Sequence, residues 1–145
     1  MVHSHGARTM MHMCGCCEAF LPRLIEMGLD VYDVVQPTTP SMDIGILKDR
    51  FGEKLTFCGS MCVQTTLAWG TPQEVEREVD RRLELFPTGG LFLGPTHAVQ
   101  AGSPLENTLA MYRAAGSLAE EIDDSILSIE ADEGAVDEID MSKLF

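Results

Sequence analysis

His12 and Cys14 stand two residues apart at the end of the apolar run Thr9-Met10-Met11, and the chain then passes through Gly15-Cys16-Cys17. Residues i and i+2 of a β-strand project from the same face, so an imidazole and a thiol leave this segment together. Gly15 allows a sharp turn directly beside them. Such a pair is half of a metal site or half of a substrate pocket. It is also what a packed strand end carries, because unpaired cysteine is often a core residue. Other strand ends have to supply the rest of any site.

The surrounding sequence alternates short apolar runs with longer amphipathic ones. A strand over 8–14 is followed by a helix over 17–27, with Phe20, Leu21, Leu24 and Ile25 on one face and Gly28 at its end. A second strand, 31–35, stops at Pro37 and Pro40 and leads to a helix over 42–50. The third strand, 55–58, is closed by Gly59. Thr71-Pro72-Gln73-Glu74 is a capping box with proline at the first helical position, and Val75, Val79 and Leu83 repeat every four residues behind it. A fourth strand, 91–94, precedes Ser103-Pro104-Leu105-Glu106, which reads as the same cap for a helix with Leu105, Leu109 and Tyr112 on one face, ending near Gly116. Four strand–helix units in succession predict parallel strands with helices outside them. In such folds the chemistry gathers at the carboxyl ends of the strands. Those ends are His12/Cys14, Gln36-Pro37, Gly59 to Gln64 and Pro95 to Gln100, where the unusual polar residues of the body collect.

Composition narrows the function classes. The 145 residues are 45% hydrophobic and 23% charged, as in an ordinary globular domain. The net charge of −13 is uneven: residues 119–145 hold ten Asp or Glu and one Lys, which leaves −4 for residues 1–118. No basic stripe suited to nucleic acid is present, and no apolar run is long enough for a membrane span. Five cysteines, three of them crowded at 14, 16 and 17, do not form a secreted disulfide pattern, so a reducing cytoplasm is the expected setting. The domain reading is a body over 1–118 and an acidic tail over 119–145, partly disordered or loosely helical.

A series of short motifs then follows in order: His-x-Cys-Gly at 12–15, Gln36-Pro37, Phe51-Gly52-x-Lys54-Leu55-Thr56-Phe57-x-Gly59, Gln64, Gly70-Thr71-Pro72-x-Glu74-Val75, Gly89-Gly90, and Pro104-Leu105-Glu106-Asn107-x-x-Ala110-Met111. Together they resemble the carboxyl-terminal half of the uroporphyrinogen decarboxylase superfamily, which also contains cobalamin-dependent methyltransferases. The resemblance covers about residues 3–118. It implies an α/β fold that is half of a (β/α)8 TIM barrel, with four βα units. A complete barrel usually takes about 250 residues, so the chain is expected to be a fragment, a split gene product or half of a barrel completed by another copy. Its expected partners are an amino-terminal half-barrel or a homo-oligomer.

The resemblance also implies chemistry. Methyltransferases of this superfamily that activate a thiol hold zinc with a His-x-Cys pair and a later cysteine. His12 and Cys14 match the first two ligands, and the third falls near His97, a histidine where those enzymes have cysteine. Histidine also ligates zinc, and zinc lowers the pKa of a bound thiol. The leading expectation is methyl transfer from a corrinoid carried on a partner protein to a zinc-activated thiol, with His12, Cys14 and His97 as ligands and Gln36 and Gln64 in the substrate pocket. The true decarboxylases have histidine at the position of His97, which keeps open a cofactor-free uroporphyrinogen decarboxylation with His97 as the catalytic pocket residue. Those enzymes lack the His-x-Cys-Gly element, and their carboxylate-binding groups come from the amino-terminal half. A non-catalytic half-barrel that binds a tetrapyrrole or a partner subunit is a third reading. Cys16, Cys17, Cys58 and Cys62 read as packing or incidental residues, Asn107 as a pocket or cap residue, and Arg77, Arg81 and Arg82 as a solvated face paired with Glu74, Glu78 and Glu84.

Overall fold

In the computed structural model, residues 2–117 are described, so the acidic tail and the boundary at 118 lie outside the described residues. The four expected strands are present as β1 (Met10–His12), β2 (Val31–Val35), β3 (Thr56–Met61) and β4 (Leu91–Pro95). They form one sheet in the order β1-β2-β3-β4, with every neighbouring pair parallel. Among the described residues five α-helices accompany them: α1 (Leu21–Glu26), α2 (Ile44–Phe51), α3 (Thr66–Trp69), α4 (Pro72–Leu85) and α5 (Leu105–Ala114). This is half of a TIM-barrel arrangement: among the described residues an open sheet with β1 and β4 at its edges.

Among the described residues, only one face of the sheet is covered. Tyr32, Val35 and Phe57 pack with Leu21, Ile44, Leu47 and Phe51 of α1 and α2 in one apolar cluster. Met61 packs with Leu67, Val75, Val79, Ala110 and Met111 of α3, α4 and α5 in a second. The register partners Met10↔Val31, Val31↔Thr56 and Cys58↔Phe92, with His12↔Asp33, define the opposite face, the one that lines the interior of a closed barrel. Gly59 leaves no room for a side chain: its φ is +89°, and a Cβ there would lie 2.2 Å from Val34 Cγ2.

The helix ends follow local rules. Gly28, with φ +97°, closes α1: its N–H donates to Ile25 O at 2.9 Å and Leu29 N–H donates to Leu24 O at 3.0 Å. Thr71 and Glu74 exchange both capping-box hydrogen bonds at the start of α4. At the amino ends of the strands, the Asp30 carboxylate accepts from Thr9 N–H at 2.7 Å and pairs with His3 and Arg8. These contacts, led by the Thr9 N–H, hold it far below the usual carboxylate range.

Five details differ from the sequence expectation. Gly59 does not end the third strand, which runs on to Met61 because Gly59 to Met61 remain paired with Leu93 to Pro95. The segment before α1 is a tight turn over Glu18–Phe20, which leaves Phe20 exposed. On α4, Leu83 is 45% exposed and Arg82 only 7%, so Arg82 is not part of a solvated face; it bonds Glu78 at 2.5 Å against the helix wall. On α5, Leu105 and Tyr112 are exposed, and the buried face is Asn107, Ala110 and Met111. Ser103 does not cap that helix, whose N-cap is Pro104 with no side-chain bond. Asn107 sits on the buried face because its Nδ2 donates to Leu67 O at 3.2 Å and Gly70 O at 2.7 Å, closing the end of α3. It ties α5 to the carboxyl end of α3 and lies away from the strand mouth.

Candidate functional site at the strand mouth

The chain leaving β1 is fixed by backbone contacts before any side chain acts. Met13 N–H donates to Asp33 O at 2.6 Å, and the buried Tyr32 hydroxyl donates to Met13 O at 2.9 Å. The Cys17 thiol donates to Cys14 O at 3.2 Å, so the turn through Gly15, φ +93°, is tied at both ends. Cys17 is therefore a structural thiol, and Cys16 bonds Pro40 O at 3.1 Å.

On this base, His12 Nε2 lies 3.1 Å from Cys14 Sγ. Its other ring nitrogen, Nδ1, lies 2.5 Å from Asp33 Oδ2, the carboxylate of its register partner on β2. A carboxylate on one imidazole nitrogen fixes the ring's orientation and directs the other nitrogen outward, the usual support of a metal-ligating histidine. Two ligands on a tetrahedral zinc, one nitrogen and one sulfur, lie roughly 3.5 Å apart, so the pair is near the span of one edge of such a site. Asp33 was not singled out in the sequence, where it reads as the polar position of an apolar strand. The one signal for it is the register that sets it beside His12.

The carboxyl ends of the other strands meet the same mouth. Gln36 Nε2 donates to Gln64 Oε1 at 3.0 Å and to Thr38 Oγ1 at 3.1 Å, which joins the loops after β2 and β3. Gln36 Oε1 is buried without a partner. Thr96 is buried at the end of β4; its N–H donates to Met61 O at 2.9 Å and its hydroxyl accepts from Val63 N–H at 3.2 Å. His97 follows, exposed, with Gln100 Nε2 3.4 Å from its Nδ1. Cys14, Gln36, Gln64 and His97 line one cavity of about 420 Å³. His12, Asp33 and His97 line a smaller neighbouring one of about 270 Å³. All five residues expected at the site therefore border one mouth. A larger cleft of about 570 Å³ lies behind the wall, against α4 and the ion-paired Glu78 and Arg82.

Two thiols border this region with opposite electrostatics. Burial, with Asp33 beside it, pushes Cys58 up to about 11, so it stays a protonated thiol at neutral pH. Burial also raises Cys62, but hydrogen bonds from Thr65, Gln64 and Thr38 outweigh it and hold that thiol below its ordinary value. Gln36 Nε2 reaches Cys62 Sγ at 3.4 Å, so Cys62 is part of the polar floor under Gln36 and not only a packing residue.

His12 and Cys14 form a two-donor edge, and His97 is not drawn into it. Among the described residues no group of three His, Cys, Asp or Glu side chains is placed to hold one ion. A zinc site of the expected composition is therefore fitted in part by a single chain. No helix among the described residues is long and apolar enough to cross a membrane.

No curated protein matches the chain. Among solved structures, a methyltransferase from Methanosarcina mazei superposes with a TM-score of 0.63 at 23% sequence identity, over 79% of this chain and 32% of that one. At that identity the likeness is one of fold, and the chain spans about a third of the length of that methyltransferase. A family model described as uroporphyrinogen decarboxylase (URO-D) matches residues 1–118, which takes in every strand and helix that frames the mouth. The parallel half-barrel and its strand-end site are thus those of a chain that belongs to the URO-D family.

Proposed function

We propose that this chain is half of an enzyme that transfers a methyl group from a corrinoid on a partner protein to a thiol. The observation that carries this reading is the His12–Cys14 pair at 3.1 Å with Asp33 behind His12, at the mouth of a half-barrel. The fold likeness to a methyltransferase is in keeping with it. The cavity beside Cys14 has the size and the amide lining for a small polar thiol, with Gln36 and Gln64 orienting it by hydrogen bonds. Zinc, where bound, supplies a Lewis acid that favours the thiolate form of the acceptor. His12 and Cys14 would be its donors from β1 and His97 the donor from β4. Asp33 keeps the His12 ring turned toward Cys14. Val34 and Val63 supply the apolar side of the cavity's lining.

The test is the zinc content of the purified chain beside Cys14→Ser and His97→Ala variants. The parent should retain zinc and both variants should lose it. Equal retention by all three would remove these residues as ligands. A folded parent that takes up no zinc would favour the second reading, decarboxylation of uroporphyrinogen, in which the exposed His97 lines the substrate cavity as a hydrogen-bonding group.

A further inference from the structure

Three neighbouring strands each place one polar side chain in a row on the interior face of the sheet. His12 ends β1, Asp33 is its register partner on β2, and Cys58 is on β3. Tyr32 pairs with Phe57, the residues just before Asp33 and Cys58, so the ladder brings those two side by side. The Cys58 thiol is hydrogen-bonded to the Asp33 side chain. Burial, with Asp33 beside it, pushes that thiol up to about 11, so near neutral pH it carries its hydrogen. An ionised carboxylate only accepts, which fixes the direction of the bond: Cys58 S–H donates to Asp33. The His12 ring holds one oxygen of the same carboxylate, Oδ2, at 2.5 Å. The torsion about Cβ–Cγ of an aspartate is broad, so a carboxylate held by one donor is free to turn. A second donor from the strand on the other side removes that freedom.

We propose that Cys58 is the positioning residue of this row: its S–H steadies the Asp33 carboxylate, which accepts from His12 Nδ1–H and leaves the Nε2 lone pair turned toward Cys14. The hydrogen bond at one ring nitrogen decides which nitrogen carries the hydrogen, so the effect of Cys58 reaches His12 as a choice of tautomer. Nε2 then faces Cys14 Sγ at 3.1 Å with the lone pair that a metal, or the hydrogen of a thiol, requires. Cys58 touches neither, and acts only through Asp33. The row uses β1, β2 and β3 alone, three consecutive neighbours in the sheet. Use of Nε2 for zinc rests on the methyl-transfer reading; the row and the tautomer do not, and they are read without metal.

The test is imidazole nitrogen NMR of the metal-free full chain at a pH where the ring is neutral, with His12 assigned by its loss in His12→Gln. The Nδ1–H form should dominate in the parent. Cys58→Ala should lower the ratio of Nδ1–H to Nε2–H by about threefold. Cys58→Ser restores a donor and should recover most of the ratio. Cys58→Val fills the space without a donor and should not; a residue that only packs would give the opposite order, valine above serine. Cys58 is partly exposed, so the denaturation midpoints should stay close to the parent's. Should alanine or valine fold poorly, the infrared S–H band that Cys58→Ser removes decides: it should move to higher frequency in Asp33→Ala. A ratio unchanged in Cys58→Ala overturns the proposal. So does a serine variant no better than valine, or an S–H band that Asp33→Ala leaves in place. A parent that takes up no zinc while the ratio falls as stated would remove the methyl-transfer reading and keep the row. Zinc uptake with an unmoved ratio would do the reverse.

Discussion

The two faces of the sheet are built for different tasks. The helix side is a continuous apolar layer in which Tyr32, Phe57, Met61, Val75 and Met111 are fully buried. The other side presents Met10, His12, Asp33, Cys58 and Phe92, every one of them at least partly exposed. A β-strand sends alternate residues to opposite faces, so a single short sequence such as Tyr32-Asp33 serves both. Tyr32 holds the turn after β1 by its hydroxyl, and Asp33 holds His12 by its carboxylate. The stability of the fold therefore resides on one face and the candidate site on the other. Substitutions on the two faces should separate cleanly.

The largest expected effect is on the helix side. Phe57 is completely buried and meets Phe86 edge-on with ring centroids 6.2 Å apart. Phe57→Ala should cost about 3–5 kcal/mol, measured by urea denaturation, because the cavity cannot be refilled between the sheet and two helices. Phe92→Ala, equally large but on the open face, should change the stability of the single chain far less. Comparable losses for the two would mean that the faces are not divided in this way.

On the interior side the expected loss is in binding. Asp33→Asn keeps the size of the side chain but withdraws the charge that orients His12, and should weaken zinc binding by about 10- to 100-fold in a chelator competition while the denaturation midpoint moves little.

The sequence carried the order of elements well. Strand positions, the capping box at Thr71 and the glycine at the end of α1 are all written in local residue types, and each is present. His12, Cys14, Gln36, Gln64 and His97 were legible because strand ends are where a parallel fold gathers polar groups, and all five border one mouth. What local patterns could not show is which polar residues turn inward. Arg82 is buried because Glu78, one turn earlier on α4, neutralises it there, and Asn107 because it closes α3 across a sequence gap of 40 residues. Asp33 was hidden for the same reason: its partner is set by strand register, 21 residues away. Periodicity placed Leu83 and Leu105 in the core, where these polar contacts took their place.

Asn107 gives the next test on the helix side. Asn107→Ala leaves the carbonyls of Leu67 and Gly70 without their donor inside the α3–α5 contact, and should cost about 1–3 kcal/mol. Asn107→Asp keeps the shape but turns donor into acceptor, and should be no better than alanine. A stable Asn107→Asp protein would show that shape alone keeps α5 against α3.

The smallest expected effect is at the start of α4, on the solvent side, and it depends on pH. Thr71 Oγ1 accepts from Glu74 N–H at 3.3 Å, and Glu74 Oε2 accepts from Thr71 N–H at 2.8 Å. That backbone donor, followed by the Thr71 hydroxyl, holds the Glu74 carboxyl below its ordinary 4.5. A depressed carboxylate adds stability that is complete above its unfolded-state pKa and is lost as pH falls through the lower folded-state value. Glu74→Gln should therefore lower the thermal midpoint near neutral pH, and the gap from the parent should close on acidification through the range below 4.5. Thr71→Ala removes the hydroxyl partner instead, and should cost about 1 kcal/mol at neutral pH, with part of that cost remaining in acid because the Glu74 N–H loses its acceptor at every pH. A Glu74→Gln gap that stays constant from neutral pH into the acid range would mean that the carboxylate's charge adds nothing to the cap.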